Sequence, residues 1–246
     1  MFNLCLNVDH FATLRNARGV KEPNPLTAAL QAEIAGASGI VAHLRTDRRH
    51  INEQDVKTIK DAISTKLNLE MSTDEEIMQI ALEVKPAIAT LVPEKPTEVT
   101  TEGGLDVLSH KEHIKQCVHR LKDKSINVSL FIEPDKKQID AALEVGADII
   151  EINTGKYALS KNSNELEDYL EQIADATDYA LDNDLVVAAG HSINYDNIRE
   201  LCRVVDISEY NIGHAIVARS TFVGISAAIK EMLDLLIKYK TFYVAE

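Results

Sequence analysis

The 246-residue chain is 45% hydrophobic and 26% charged with a formal net charge of -13, the balance of a globular protein with a sizeable core. So acidic a body excludes a general nucleic-acid or anionic-membrane surface, since both need a positive field. The opening MFNLCLNVDH has no charged leader and reaches Asn7 and Asp9 too early for a signal peptide. No apolar run approaches the roughly 20 residues of a membrane span, and Cys5, Cys117 and Cys202 form no ligand spacing. These features predict a cytoplasmic protein with reduced thiols.

Along the chain, short β-like runs alternate with longer amphipathic ones. Strands are predicted at 3–9, 39–45, 67–71, 88–92, 126–132, 147–152, 185–189 and 207–212, with helical stretches at 25–36, 53–65, 73–85, 112–124, 135–145, 165–183, 195–203 and 219–238. Helix starts are marked by Asn52 or Glu53, by Ser72 and Thr73, and by Asp135 after Pro134. Gly36 in EIAGASGIV and Gly146 in EVGADIIEI mark helix ends before strands. Eight strands alternating with eight helices in about 250 residues is the count of a (β/α)8 TIM barrel, predicted here as a single domain over residues 1–246. A doubly wound open sheet would also alternate, but it more often carries a glycine-rich turn after its first strand, and NVDHFATLRNARG has none. The one irregular stretch, 93–111 (PEKPTEVTTEGGLDVLSHK), reads as a loop long enough to cover a site.

Strand residues alternate between faces. In most strands one set is apolar and the other polar: Asn3, Cys5, Asn7 and Asp9 in the first, His43 and Arg45 in the second, Asn68 and Glu70 in the third. The fifth contributes Ser129 and Glu133, the sixth Glu151 and Asn153, the seventh Ala189 leading to His191, and the eighth Glu209, Asn211 and Gly213. The apolar set must pack against the helices, so the polar set faces the lumen. Six ionisable residues, Asp9, His43, Arg45, Glu70, Glu151 and His191, fall at the C-terminal ends of five strands, the face on which barrel active sites lie.

Within VAHLRTDRRHI, the arginines around His43 and His50 oppose a dication and suit a phosphate. Arg48 and Arg49 are equally readable as solvated loop charges with Asp47 as partner. NIGHAIVARS and AAGHS follow the last two strands, where barrels often bind phosphate through backbone N–H groups. Glu70 and His43 on adjacent strands could share proton transfer, with His191 as a third carrier. No lysine takes a clear lumen position for Schiff-base chemistry, although Lys95 and Lys156 follow the fourth and sixth strands. A phosphosugar epimerase, a lysine-dependent aldolase and a non-catalytic phosphate sensor are the rival readings.

NVDHFATLRNARG, HLRTDRRHI, NLEM, LVPEKPTEVTTEGGLDV, SLFIEPD, EINTG and NIGHAIVARS resemble, in order and spacing, the motifs of the pyridoxine 5'-phosphate synthase (PdxJ) family, from residue 3 to about 235. The resemblance implies a barrel with additional short helices, assembled as a homo-octamer of paired dimers, with no metal and no organic cofactor. It implies ring closure between 1-deoxy-D-xylulose 5-phosphate and 3-amino-1-hydroxyacetone 1-phosphate. His43 and Glu70 would be general bases, His191 a proton donor, and Glu151 a stabiliser of charged intermediates. Asp9, His10, Arg45, His50 and Thr100 would hold the deoxyxylulose phosphate. Asn7, Arg18, the backbone of Ser192, Gly213 and His214 would hold the amino ketone. Two positions depart from the family pattern: Ser192 stands where glycine is usual and Asn153 where histidine is common. If residue 192 needs positive φ, serine costs about 1 kcal/mol or more there.

Overall fold

Leu4, Leu6, Ile40, Ala42, Leu44, Leu67, Leu69 and Met71 are all buried and form one core cluster with the inner faces of the surrounding helices. This outward packing of each strand's apolar set leaves the alternate residues to the lumen. The computed structural model describes residues 2–94, 103–204 and 206–244, so Lys95 and Thr100 lie outside the described residues. Eight strands, β1 Asn3–Asn7, β2 Gly39–Leu44, β3 Lys66–Met71, β4 Ile88–Leu91, β5 Asn127–Ile132, β6 Ile149–Asn153, β7 Val186–Gly190 and β8 Glu209–Ile212, pair in chain order. Every pairing is parallel and β8 returns to β1, so the barrel is closed. The described residues are thus a (β/α)8 TIM barrel, and none of their helices is long and apolar enough to cross a membrane.

The outer helices are α2 Pro25–Ala35, α3 Glu53–Ala62, α4 Glu75–Val84, α5 Lys111–Lys122, α6 Lys136–Val145, α8 Ser163–Leu181, α9 Ile198–Leu201, α10 His214–Val223 and α11 Ile225–Val244. Two more, α1 Asp9–Arg18 and α7 Gly155–Ala158, follow β1 and β6 directly. Their starts are chemically marked. Asn52 and Asp55 form a reciprocal capping box on α3, and the Asp135 side chain accepts from Lys137 N at 2.7 Å on α6. Gly36 and Gly146 end α2 and α6 in the left-handed conformation, as their sequence context predicts.

The structure corrects the sequence reading in five places. The first strand stops at Asn7 and Asp9 opens α1, a helix that buries only Asp9 and Ala12 and so shows little apolar periodicity. The cap of α4 is Asp74, which accepts from Glu76 N, rather than Ser72 or Thr73. The predicted helix at 219–238 is two helices, parted at Gly224 with φ 82°. In β7 the lumen residues are Ala188 and Gly190, in register with Glu151 and Asn153 of β6, while Ala189 packs outward. Lastly, a lysine does enter the lumen set: Lys66 begins β3, one residue before the predicted strand, and pairs with Glu209 at the N-terminal end of the barrel.

Candidate active site

From that Lys66–Glu209 pair, the lumen runs polar towards the C-terminal mouth. Thr90 Oγ1 donates to Asn68 Oδ1 at 2.7 Å, and Asn211 Nδ2 donates to Glu151 Oε2 at 2.7 Å, all four residues being buried. Gly190 lets β7 pass close to Glu151: a Cβ there would overlap Glu151 Oε1 and push the carboxyl out of this position. Glu70 stands on β3 in register with His43 on β2 and Thr90 on β4.

The mouth gathers carboxylates and imidazoles. His43 Nδ1 lies 3.7 Å from Glu70 Oε2, and His43 Nε2 lies 3.1 Å from Glu94 Oε1. The backbone N–H of His43 donates to Asp9 Oδ1 at 2.8 Å, and Asn7 Nδ2 donates to the other Asp9 oxygen at 3.0 Å. Burial, then the negative charges of Glu151 and Asp9, push the Glu70 carboxyl well above its usual value against a bond from Asn7. Burial also raises Glu151, against the Asn211 bond and with help from the Glu209 charge. The two carboxyls therefore retain protons at a pH where exposed glutamates have lost them.

Beyond β7 the chain turns sharply, with His191 at φ 78° and Ser192 at φ 59°. Three groups hold this strained turn. Thr154 Oγ1 reaches the carbonyls of Gly190 and His191 at 2.9 and 2.5 Å, Asn197 Nδ2 donates to Ser192 O at 3.0 Å, and the Phe131 ring meets the His191 ring edge-on. The condition set for residue 192 is therefore met: a serine holds a positive φ there. Across the mouth Gly213 opens α10 with no capping side chain, which leaves the backbone N–H groups of that first turn available to an anion. Gly213 has a φ of -113° and packs against Asn7, so close approach rather than positive φ accounts for it.

The basic end lies on the β2–α3 loop. Buried Arg45 has Nε 3.6 Å from Asp47 Oδ1, and Arg49 Nη2 lies 2.6 Å from Asp47 Oδ2. The bond from Arg49 helps hold the Asp47 carboxyl below its ordinary value. Arg49 faces the cavity, whereas Arg48 binds Glu53 at 2.7 Å and Glu76, tying the loop to α3 and α4. The loop is held from α1 as well: Arg15 pairs with Asp55 at 2.6 Å, and both Arg15 and Asn16 donate to His50 O. Burial holds His50 and His10 below the ordinary imidazole value, so both are neutral at neutral pH.

These groups line a cavity of about 970 Å3 at the barrel's C-terminal face. It brings together His43, Glu70, His191 and Glu151 with Asn7, Asp9, His10, Arg45, His50, Ser192, Gly213 and His214. Arg18 is not brought in; it is exposed at the end of α1. Thr100 falls outside the described residues. Sequence reasoning missed Glu94, Arg15 and Asn16, which reach from one element to another and carry no periodic signal, and Arg49 as a lining residue. Asp9, His43 and His50 also offer ligand atoms within 4.8 Å of one another, a grouping that the neighbouring positive charge of Arg45 sets against a dication. Lys156 pairs with Glu133 at 2.8 Å, and that bond raises its pKa, the opposite of what a Schiff-base nucleophile needs.

Enclosed carboxyls, histidines and the uncapped start of α10 at this face are groups suited to moving protons on an anionic ligand. The chain belongs to the family described as Pyridoxal phosphate biosynthesis protein PdxJ, which matches residues 4–238. It is 49% identical over 239 residues to the pyridoxine 5'-phosphate synthase of Geobacter metallireducens, covering 97% of this chain and 100% of that one. The protein of the same name from Chloroherpeton thalassium is 49% identical over 233 residues, 95% of this chain and 99% of the relative. Among solved structures, the Streptococcus mutans protein KGPDC matches with a TM-score of 0.65 at 12% identity, over 97% of this chain and 99% of that one. Phosphoribosyl anthranilate isomerase from Thermus thermophilus matches at 0.60 and 14% identity, over 96% and 99%. At such identities these two share the fold alone.

Proposed function

We propose that the chain is a pyridoxine 5'-phosphate synthase of vitamin B6 biosynthesis, joining 1-deoxy-D-xylulose 5-phosphate to 3-amino-1-hydroxyacetone 1-phosphate (3-amino-2-oxopropyl phosphate). The products are pyridoxine 5'-phosphate, inorganic phosphate and water, and the chemistry calls for no metal or organic cofactor. The observation that carries this reading is the enclosed arrangement of Glu70, Glu151, His43 and His191 in one cavity that Arg45 and Arg49 line on one side and the start of α10 on the other.

Condensing the amine with a ketone forms an imine and releases water. Enolisations, dehydration and loss of one phosphate then build the aromatic ring, and each step moves a proton. In this reading Glu70 and His43 take protons, His191 returns one to a leaving oxygen, and Glu151 steadies positive charge on nitrogen. Asp9, His10, Arg45, His50 and Thr100 hold the deoxyxylulose phosphate, with the Arg45 guanidinium suited to its phosphoryl oxygens. Asn7, the turn at Ser192, Gly213 and His214 hold the amino ketone. Arg18 is also assigned to that substrate, although its position on this chain does not supply the contact. Self-association to a homo-octamer is read from the family resemblance alone, and sedimentation would establish it. We place the protein in the cytoplasm, consistent with three free buried thiols.

The test is to incubate the protein with both substrates and follow pyridinol absorbance together with released phosphate. Phosphate-ester binding without product would overturn the synthase reading and favour a sensor.

A further inference from the structure

Glu94 lies three residues beyond β4, inside a stretch to which the sequence assigned only a loop. Its side chain is 8% exposed and turns back across the barrel mouth. One carboxylate oxygen, Oε1, is 3.1 Å from His43 Nε2. The other, Oε2, accepts from the Thr46 backbone N–H at 3.1 Å and from Thr46 Oγ1 at 2.9 Å. Burial alone would raise this carboxyl, but the bonds from His43 and Thr46 outweigh it and hold Glu94 below the ordinary value. It is therefore ionised at neutral pH.

An ionised carboxylate only accepts hydrogen bonds, so the imidazole nitrogen facing it must carry the proton. In neutral His43 the proton then sits on Nε2 and the lone pair on Nδ1. Nδ1 is the atom on the Glu70 side, 3.7 Å from its Oε2. The main chain at this position is fixed independently, because His43 N–H donates to Asp9 Oδ1 at 2.8 Å. One carboxylate thus sets the backbone of His43 and another sets its ring.

We propose that Glu94 is a positioning residue that locks His43 as the Nε2–H tautomer and so presents Nδ1 as the basic atom. The catalytic consequence rests on the synthase reading above, but the tautomer does not. The competing role is mechanical, with Glu94 simply tying the end of β4 to the β2–α3 loop through Thr46.

Three measurements on the full chain separate these. The 15N spectrum of histidine-labelled protein at the pH of maximal activity should show His43 protonated at Nε2 and bare at Nδ1; any other pattern overturns the proposal, whatever the enzyme makes. Glu94→Gln keeps the size and removes the charge. It should lower kcat about 10- to 100-fold with KM changed less than about twofold, as for carboxylates that orient a working histidine. Thr46→Val breaks one tie to the loop and leaves the His43 bond, and should stay within about threefold of wild type. A Glu94→Gln variant within twofold of wild-type kcat, or a Thr46→Val loss as large as that of Glu94→Gln, would sink the idea. Should Glu94→Gln fail to fold, the spectrum and Thr46→Val still decide.

Discussion

The two ends of the barrel lumen use the same side-chain chemistry to opposite effect. At the N-terminal end, Glu209 faces Lys66, and each carries the charge the other requires. At the C-terminal end, Glu70 and Glu151 share an enclosure in which negative charge raises the Glu70 carboxyl further. A buried carboxylate with a cation is a fixed structural element, whereas one beside another carboxylate becomes a store for protons. Partnering, more than burial, separates the half of this lumen built as an ion pair from the half able to store protons.

The sharpest way to break that contrast is Glu70→Gln, which keeps volume and removes the proposed proton acceptor. We expect product formation to fall about 100- to 10,000-fold, the usual contribution of a positioned general base, with the thermal transition retained. A stopped assay of pyridinol absorbance beside a melting curve would show it. Loss of the fold together with the activity would place Glu70 among the structural carboxylates instead.

Lys66→Met tests the other end. It leaves Glu209 enclosed without its cation while Lys66 itself is 30% exposed, so the cost is discounted from that of a fully buried pair to about 1–3 kcal/mol. At about 2–4 °C per kcal/mol for a chain of this size, Tm should drop by several degrees. KM and kcat measured below the transition should be unchanged.

Glu151→Gln sharpens the comparison through pH. Both mouth carboxyls are raised in the folded state. Above the ordinary carboxylate value, the folded protein therefore holds protons that the unfolded chain has released, and stability falls as pH rises towards the folded titration. Neutralising residue 151 removes its share of that loss, so the variant should melt higher than wild type at neutral pH. The negative charge that raises Glu70 also disappears, so the acid limb of kcat/KM should move to lower pH even as the rate falls. An acid limb left in place would mean that Glu70 does not titrate in the measured step.

Much of this was legible in the chain, because a closed parallel barrel must send one set of residues outward and the other inward. Asn7, His43, Glu70, Glu151 and Asn211 betrayed the lumen face by their polarity. In β7 that marker fails: LVVAAG is small and apolar on both faces, so parity is unreadable, and the positive φ at His191 breaks the alternation just where it is needed. Lys66 was hidden by a single-residue strand boundary. Glu94 and Arg15 were hidden more deeply, since their partners His43 and Asp55 lie 51 and 40 residues away. Periodicity reports which face a residue takes, not how far its side chain reaches across a mouth.

The smallest effect expected concerns Ser192, held at φ 59° where an L-residue is strained. Ser192→Gly would relieve about 1 kcal/mol of that strain, but glycine also frees the unfolded chain by about 0.4–1 kcal/mol. The two nearly cancel, so Tm should move by no more than a few degrees. If the residue contributes only its backbone, as the bond from Asn197 to its carbonyl suggests, KM for the amino-ketone phosphate should change less than about threefold, a difference of about 0.6 kcal/mol. A tenfold rise would show that the serine hydroxyl grips the substrate, and that this chain has replaced the usual glycine with a contact of its own.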